Sequence, residues 1–306
     1  MKLLITGATG LVGKALIKKS LSQGTEIHFL TTQKAKINSI EGAKGFYWNL
    51  SHKKIDVSCF EGVEIIIHLA GATISKRWTT EYKKVILTSR LESTKLLLNG
   101  IKAFPKKHHI KKLVSASAIG IYPSDFDQTV DEETPVSPNS FMEKIVIDWE
   151  NESDSFNLIG IKVAKLRIGL VLSDKGGVVA VMKIPTMLYL GAAFGSGKQG
   201  QSWIHIYDLV SLILFVIKNQ WEGVFNAVSP GSVSQNHFIS ALAKSLNRRH
   251  ISPPLPKFLI QFLVGEMSCL ILDSHWVSPQ KVLDNGFVFK FEEINNALEN
   301  IFNKKD

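Results

Sequence analysis

KLLITGATGLVG, residues 2–13, joins a short apolar run to three glycines that stand three residues apart. Lys2 to Thr6 predicts a buried β-strand, and the amphipathic stretch Leu11 to Gln23 predicts a helix directly after the glycines. Glycines permit a tight turn that a pyrophosphate can approach closely, and the helix N-terminus offers unpaired N–H groups. Because strand, loop and helix coincide, we predict a dinucleotide-binding loop made of Gly7, Thr9, Gly10, Leu11, Val12 and Gly13.

Short apolar runs alternate with amphipathic stretches through the first two-thirds of the chain. This pattern is typical of βαβ units that build a parallel sheet buried on both faces. We therefore predict an α/β fold with a doubly wound parallel sheet of the Rossmann type and at least six strands. Further strands are expected at residues 26–30, 45–48, 65–69, 113–117 and 162–168, and further helices at 80–102, 140–152 and 208–218.

The length of 306 residues favours one large domain and one smaller domain. Glycine-rich segments follow Val171, and they predict a substrate-side subdomain inserted after about residue 172. Prolines at positions 253, 254 and 256 then oppose both helix and strand. We predict a Rossmann domain over residues 1–250 and a small C-terminal helical domain of undefined role over residues 251–306.

The composition excludes several classes of protein. Hydrophobic residues make up 45% of the chain and charged residues 21%, which is ordinary globular usage and argues against a disordered chain. Cys59 and Cys269 are far apart and suggest neither a disulfide framework nor a zinc site, so we expect no metal and a reducing, cytoplasmic compartment. The apolar run before Gly7 is too short for a signal peptide, and polar residues interrupt the apolar stretch 255–272. We expect neither export nor a membrane span.

The net charge of +9 favours anionic partners such as phosphorylated cofactors. The basic residues are scattered in pairs without interleaved aromatic residues, so we predict no nucleic-acid partner and no membrane partner. The partners that remain are a small-molecule substrate, for which the net charge favours an anion, and a second copy of the chain in a homodimer.

The end of the second predicted strand bears on the choice between NAD and NADP. A carboxylate at this point binds the ribose hydroxyls of NAD and repels the 2′-phosphate of NADP. Residues 30–36, LTTQKAK, contain no acid, and they offer Thr31, Thr32 and Lys34 together with Lys36. The sequence therefore favours NADP(H), with simple solvent exposure of both lysines as the alternative.

Two further strand ends carry small residues that would let a cofactor ribose lie against the backbone. They are His68-Leu69-Ala70-Gly71 and the segment 115–118, SASA. Ligands bind at the carboxyl ends of strands in open α/β sheets. We therefore add Leu69, Ala70, Gly71 and Ser115 to the predicted cofactor site.

These motifs, with SWIHIYDLV at residues 202–210, resemble the extended short-chain dehydrogenase/reductase superfamily. More narrowly, the chain resembles the atypical nucleoside-diphosphate-sugar-epimerase-like family, whose bacterial members are often labelled cell-division inhibitor, or SulA-like, proteins. Segments 77–78, 89–90, 166–172, 195–199 and 265–267 extend the match over essentially the whole chain. The resemblance implies a Rossmann fold and a nicotinamide cofactor, and it adds Arg90 and Arg167 to the cofactor residues.

The chain departs from the superfamily where the catalytic Tyr-x-x-x-Lys pair is expected. Residues 140–146 read SFMEKIV, so no tyrosine precedes Lys144 at that spacing. The basic residue that holds a sugar diphosphate in true epimerases is also not evident between Gln199 and Trp203. We therefore do not expect standard sugar-epimerase chemistry.

Two other hydroxyls are candidates for catalysis. Ser117 matches the superfamily's catalytic serine, and Tyr122 follows shortly after it, with packing as the alternative role for Tyr122. We interpret His205 as a structural histidine, and Arg77 with Trp78 either as a substrate-anion contact or as a structural cation–aromatic pair. Two functions stay open: an NADP(H)-dependent oxidoreductase acting at a carbonyl or alcohol carbon, and a non-catalytic NADP(H) sensor.

Overall fold

A computed structural model describes residues 1–250 and 253–302, and an eight-stranded sheet forms the centre of the protein. The strands are β1 (Lys2–Thr6), β2 (Glu26–Thr31), β3 (Ala43–Asn49), β4 (Lys54–Ile55), β5 (Ile65–His68), β6 (Lys112–Ala118), β7 (Thr129–Val130), β8 (Lys162–Ile168), β9 (Leu170–Leu172), β10 (Gly200–Gln201), β11 (Trp203–His205), β12 (Gly223–Ala227), β13 (Val233–Ser234) and β14 (Trp276–Val277). The order in the sheet is β12-β8-β6-β5-β1-β2-β3-β4, and every neighbouring pair is parallel except β3 with β4.

Helices cover both faces of this sheet. They are α1 (Leu11–Leu21), α2 (Thr80–Lys102), α3 (Phe141–Asp154), α4 (Gly177–Met187), α5 (Ile206–Lys218), α6 (Gln235–Ser245), α7 (Lys257–Val264), α8 (Cys269–Leu272), α9 (Gln280–Asp284) and α10 (Ile294–Phe302). The predicted doubly wound α/β fold is confirmed. None of the helices in the described ranges is long and apolar enough to cross a membrane.

Alternate residues of the central strands face two different cores. Leu3 and Ile5 of β1 pack in one core with residues of α1 and α5, whereas Leu4 packs in the other with residues of α2. This is the two-residue period of a strand that is buried on both faces. It explains why the strands read as continuous apolar runs.

The C-terminal region is joined to the rest of the protein by a strand pair and by buried hydrogen bonds. β14 pairs in parallel with β7, and the buried carboxylate of Asp208 accepts the backbone N–H groups of Lys290 and Phe291. The predicted domain boundary after residue 250 falls on residues 251 and 252, which lie outside the described residues. That boundary stays a prediction.

A buried histidine joins the ends of β1 and β5. His68 Nδ1 lies 2.8 Å from Thr6 Oγ1, and its Nε2 lies 3.1 Å from Thr94 Oγ1 on α2. The Thr6 oxygen also accepts the N–H groups of Leu69 and Ala70, at 3.1 Å each. Because both lone pairs of this oxygen are used, its proton goes to His68 Nδ1, and the hydrogen-bond network assigns the imidazole proton to Nε2.

This histidine makes the stability of the protein depend on pH. Burial, together with the nearby Arg90 cation, lowers the pKa of His68 from 6.5 to about 3. Below pH 6.5 the unfolded chain binds a proton on this ring and the folded chain does not, so the stabilisation present above pH 6.5 is lost as the pH falls toward 3. We expect urea denaturation to show that the free energy of unfolding decreases as the pH is lowered from 6.5 toward 3. His68 should contribute up to about 1.4 kcal/mol of this decrease per pH unit.

The variant His68→Asn isolates this contribution. It should be less stable than the native protein at pH 7, because Thr6 and Thr94 lose a partner, but its free energy of unfolding should change less with pH between 6.5 and 4. An unaltered pH slope in this variant would show that His68 does not carry the effect.

Candidate functional site

The glycine loop closes against the end of β5. Gly7 has a φ of +66°, and a Cβ atom built on it would lie 2.6 Å from the carbonyl oxygen of Leu69. The Gly10 N–H donates to the Gly7 carbonyl at 2.9 Å, and a Cβ on Gly13 would lie 2.3 Å from that same oxygen. The turn therefore requires glycine at positions 7 and 13.

The first turn of α1 presents open N–H groups at this loop. Gly10 is the N-cap and supplies no side-chain acceptor, and the first turn contains no acidic residue. The first N–H groups of a helix have no partner within the helix, and the positive end of its dipole favours an anion. Thr9, Leu11 and Val12 stand at this turn, so the predicted loop has the form that a pyrophosphate needs.

The end of β2 presents a hydroxyl and a cation without a competing acid. Thr31 is buried, and its Oγ1 accepts the N–H of Gln33 at 3.2 Å. Thr32 and Lys34 are exposed, and Lys34 Nζ lies 5.3 Å from the centre of the Tyr47 ring. Thr32 and Lys34 are thus accessible to a ligand, whereas the Thr31 hydroxyl shapes the turn.

Arg90 borders the same cleft from α2. Its guanidinium lies against Gly71 and donates to the carbonyl oxygens of Ala72 at 3.3 Å and Ile86 at 3.1 Å. Burial lowers the pKa of Arg90 to about 10, so it stays protonated at neutral pH. Arg90 therefore places a fixed positive charge beside Gly71, at the end of β5.

Three residues predicted separately from the sequence belong to one buried network. Ser117 donates to the carboxylate of Glu150 at 2.5 Å, and Arg167 binds both oxygens of that carboxylate at 2.9 and 3.1 Å. Arg167 also donates to the Tyr122 hydroxyl at 2.9 Å, and this hydroxyl donates to Asn226 at 2.8 Å. Two members of the network were not predicted from the sequence: Glu150, which connects Ser117 with Arg167, and Asn226, which accepts the Tyr122 proton.

This network limits what its members can do. Burial raises the pKa of Tyr122 to about 12, although Arg167 opposes the shift, so the phenol stays protonated at neutral pH. The guanidinium of Arg167 is occupied by Glu150, and the Ser115 hydroxyl lies 3.0 Å from that of Ser153. The geometry favours structural roles for Arg167 and Ser115, whose assignment to the cofactor stays a prediction.

A cavity of about 170 Å³ lies at the carboxyl ends of β6 and β8, and Tyr122 lines it. Its walls are formed by the ends of β6 and β8 with the residues that follow them, the start of α3, residues 200–202, the C-terminal segment 269–275, and Ile74. Its polar and ionisable lining consists of Tyr122, Ser140, Glu143, Gln201, Ser202, Cys269, Asp273 and His275.

At the Tyr-x-x-x-Lys position the lysine is present and the tyrosine is replaced by serine. Lys144 follows Ser140 by four residues, so a serine stands where the superfamily has tyrosine. Ser140 lines the cavity and caps α3, where its side chain accepts the N–H of Glu143. Lys144 is 60% exposed and pairs with Asp148 at 3.4 Å. The lysine is therefore directed to the surface of α3 and is not part of the cavity lining.

The remaining sequence candidates have structural contacts. His205 is the N-cap of α5, where its Nδ1 accepts the N–H of Tyr207 at 3.1 Å. Trp78 packs against Phe141 with ring centres 5.2 Å apart, and Arg77 is exposed outside the cavity lining.

A larger groove, of about 720 Å³, runs along the outer face of α1 beside α5. Exposed lysines 14, 18, 19, 175 and 290 line it together with Thr9, Gly10 and Leu11 of the glycine loop, and neither Ser117 nor Tyr122 does. We place the candidate site in the smaller cavity because it contains one of the predicted catalytic side chains and adjoins the strand ends.

Comparisons with known proteins agree with this geometry. A family model described as the NAD dependent epimerase/dehydratase family matches residues 3–228, and a domain of unknown function, DUF1731, matches residues 255–301. An epimerase family protein of Staphylococcus aureus (strain MRSA252) is 36% identical over 302 residues, which cover 98% of this chain and 99% of the relative.

Solved structures extend the likeness to three dimensions. The crystal structure of the human epimerase family protein SDR39U1 (isoform 2) with NADPH matches with a TM-score of 0.86 and 27% identity, over 99% of this chain and 100% of that chain. The UDP-glucose 4-epimerase of Thermus thermophilus in complex with NAD has a TM-score of 0.77 over 100% of both chains, and at 20% identity it shows the fold alone.

These matches decide between the broad and the narrow resemblance. They support the epimerase family with its C-terminal domain, and they do not support the SulA-like, cell-division label. The chain belongs to the NAD-dependent epimerase/dehydratase family and carries the DUF1731 domain at its C-terminal end.

Proposed function

We propose that the protein is an NADP(H)-dependent oxidoreductase that acts at a carbonyl or alcohol carbon of a small substrate. The observation that carries the proposal is the uncapped glycine loop, which opens at the carboxyl edge of the sheet close to the Leu69 carbonyl. Residues 7–13 would hold the pyrophosphate, and residues 69–71 would lie against the nicotinamide ribose. When bound, the cofactor supplies or accepts hydride.

The phosphorylated cofactor is favoured by the end of β2. Thr32 and Lys34 are exposed there, and no carboxylate occurs among residues 30–36 to repel a 2′-phosphate. The human relative that matches over the whole chain was solved with NADPH. Both observations support NADP(H) as the cofactor.

Reduction of a carbonyl requires a proton at the substrate oxygen. Tyr122 lines the cavity and keeps its proton at neutral pH, so it is our candidate donor, with the hydrogen bond from Arg167 stabilising the phenolate left behind. Ser117 is bound to Glu150 and holds that carboxylate against Arg167, so we assign it a positioning role.

A non-catalytic NADP(H) sensor is the second candidate function. It is favoured by the engagement of the Ser117 hydroxyl with Glu150 and of the Tyr122 proton with Asn226. It is also favoured by the cavity lining, in which none of the described residues is a lysine. A sensor needs the cofactor's binding energy and no proton transfer.

The two functions are separated by a turnover assay. We expect oxidation of NADPH, followed by its absorbance, with at least one member of a panel of small ketones and aldehydes. Tyr122→Phe should lower kcat and leave the Kd for NADPH nearly unchanged, because the lost interaction is made in the transition state. Tight NADPH binding without turnover of any probe would favour the sensor.

The variant Gly10→Val tests the position of the cofactor. A Cβ atom at Gly10 meets the Gly7 oxygen at 3.2 Å, which the loop can absorb, but the added methyl groups would occupy the space above the first turn of α1. We expect the affinity for NADPH to fall on the order of a hundredfold in a fluorescence titration, with an unchanged circular dichroism spectrum. Normal NADPH binding by the folded variant would mean that the site is misplaced.

The charge at the end of β2 tests the choice of cofactor. We expect NADPH to bind at least about tenfold more tightly than NADH, because one charge-assisted contact with phosphate contributes about 1.5–3 kcal/mol. Lys34→Glu should remove this preference and leave the Kd for NADH nearly unaltered. The matched control Lys218→Glu makes the same charge change at the exposed end of α5 and should keep the preference. Equal Kd values for the two cofactors in the native protein would refute the assignment.

A further inference from the structure

The segment 269–275 forms one wall of the cavity and is firmly held there. Ser274 is fully buried: its N–H donates to Ser124 Oγ at 2.9 Å, and its Oγ accepts the N–H of Gly200 at 2.9 Å. The carbonyl of the next residue, His275, accepts the Ser202 hydroxyl at 2.8 Å. The matched C-terminal domain therefore contributes a fixed surface to the candidate active site.

Two acidic side chains, Glu143 and Asp273, stand in the cavity lining. Among the residues that the structure describes, no lysine or arginine lines the cavity. Glu143 is occupied, because it accepts the N–H groups of Asn139 at 2.9 Å and Ser140 at 3.1 Å. Among the described residues, no hydrogen bond satisfies the carboxylate of Asp273. Burial and the nearby Glu143 carboxylate raise the pKa of Asp273, and Lys257 on α7, which does not line the cavity, opposes the shift.

A second polar group in the same wall lacks a partner. The Nδ1 atom of His275 is buried, and no described residue hydrogen-bonds to it. Burial lowers the pKa of His275 to about 4, so its ring is neutral at pH 7, and burial raises the pKa of the Cys269 thiol to about 11. Neither residue offsets the charge of the carboxylates.

The size of the cavity also limits the ligand. At about 170 Å³ it lies below the roughly 300–1,000 Å³ of sites that hold drug-sized ligands. A nucleoside diphosphate sugar would have to place a large, doubly charged group beside Glu143 and Asp273. Burial of an anion next to two carboxylates, with no described cation in the lining to offset them, is strongly unfavourable.

We propose that Asp273 is the specificity-determining residue of this cavity, and that the substrate is a small polar molecule that presents an amine or hydroxyl group to Asp273 and carries no phosphate or carboxylate. The proposal rests on the proposed function, since it places the substrate in the same cavity. It gives the C-terminal domain a role, which is to select the substrate by charge.

Three carbonyl probes of nearly equal size test this proposal: aminoacetone, which is cationic, hydroxyacetone, which is neutral, and pyruvate, which is anionic. Their Kd values would be measured by saturation-transfer NMR on the full chain, with and without NADPH. We expect aminoacetone to bind at least about tenfold more tightly than pyruvate, with hydroxyacetone between them. Tighter or equal binding of pyruvate, or binding of UDP-glucose with a micromolar Kd, would overturn the proposal.

Variants of Asp273 assign the preference to this side chain. Asp273→Asn keeps the shape and should reduce the preference for aminoacetone over pyruvate to less than about threefold, and Asp273→Lys should reverse it. The control Asp127→Asn removes the charge of an exposed aspartate outside the lining and should keep the native preference. An unaltered preference in folded Asp273→Asn would also overturn the proposal.

Failure of the role proposed for Asp273 is distinguishable from failure of the proposed oxidoreductase function. If NADPH does not bind, or no probe is reduced, the oxidoreductase assignment fails. The charge preference is read from binding of the probes to the chain itself, so it still supports or overturns the role of Asp273.

Discussion

The close contact between the glycine loop and the end of β5 is the constraint on which the rest of the site depends. Gly7 approaches the Leu69 carbonyl so closely that any Cβ atom would collide with it. The Thr6 hydroxyl holds the N–H groups of Leu69 and Ala70, and His68 holds Thr6. A neutral, fully buried imidazole thus holds together the ends of β1 and β5, beside the first turn of α1.

Beside this cleft lies a buried polar network whose side chains are hydrogen-bonded to one another. Glu150 and Arg167 neutralise each other in the interior, and their hydrogen bonds to Ser117 and Tyr122 compensate part of the cost of desolvating them. A buried pair of this kind is costly to break, because removal of one partner leaves an isolated charge. The network therefore holds Tyr122, its one member in the cavity lining, in a fixed position, while Glu143 of α3 and Asp273 of the C-terminal segment line other parts of the cavity.

The fold could be predicted from the sequence because local patterns encode it. The run Leu3 to Ile5 reads as a doubly buried strand, and the glycine spacing follows it without interruption. The helix predicted over 80–102 has those bounds, whereas α1 ends at Leu21 and not at Gln23, since the chain turns at Ser22 to Gly24. Patterns of this kind locate elements and leave their ends uncertain by a few residues.

The cavity and the buried network beside it could be predicted only in part, because their residues are distant in sequence. Ser117 and Arg167 meet through the β6–β8 register, and the partner they share, Glu150, lies on one face of α3. Asp273 reaches the cavity because Ser274 is anchored to Ser124 and Gly200, contacts that no local pattern records. The sequence allowed an anionic substrate on the basis of overall charge, whereas the charge of the cavity itself is set by these long-range contacts.

We propose that the glycine loop, the end of β2 and the cavity form one site for NADP(H) and a small substrate. The most direct test is a crystal structure of the protein with NADPH. We expect the 2′-phosphate beside Thr32 and Lys34, and the C4 atom of the nicotinamide facing the cavity bounded by Ser140 and Asp273. A nicotinamide directed away from that cavity, or a 2′-phosphate without contact to the end of β2, would contradict it.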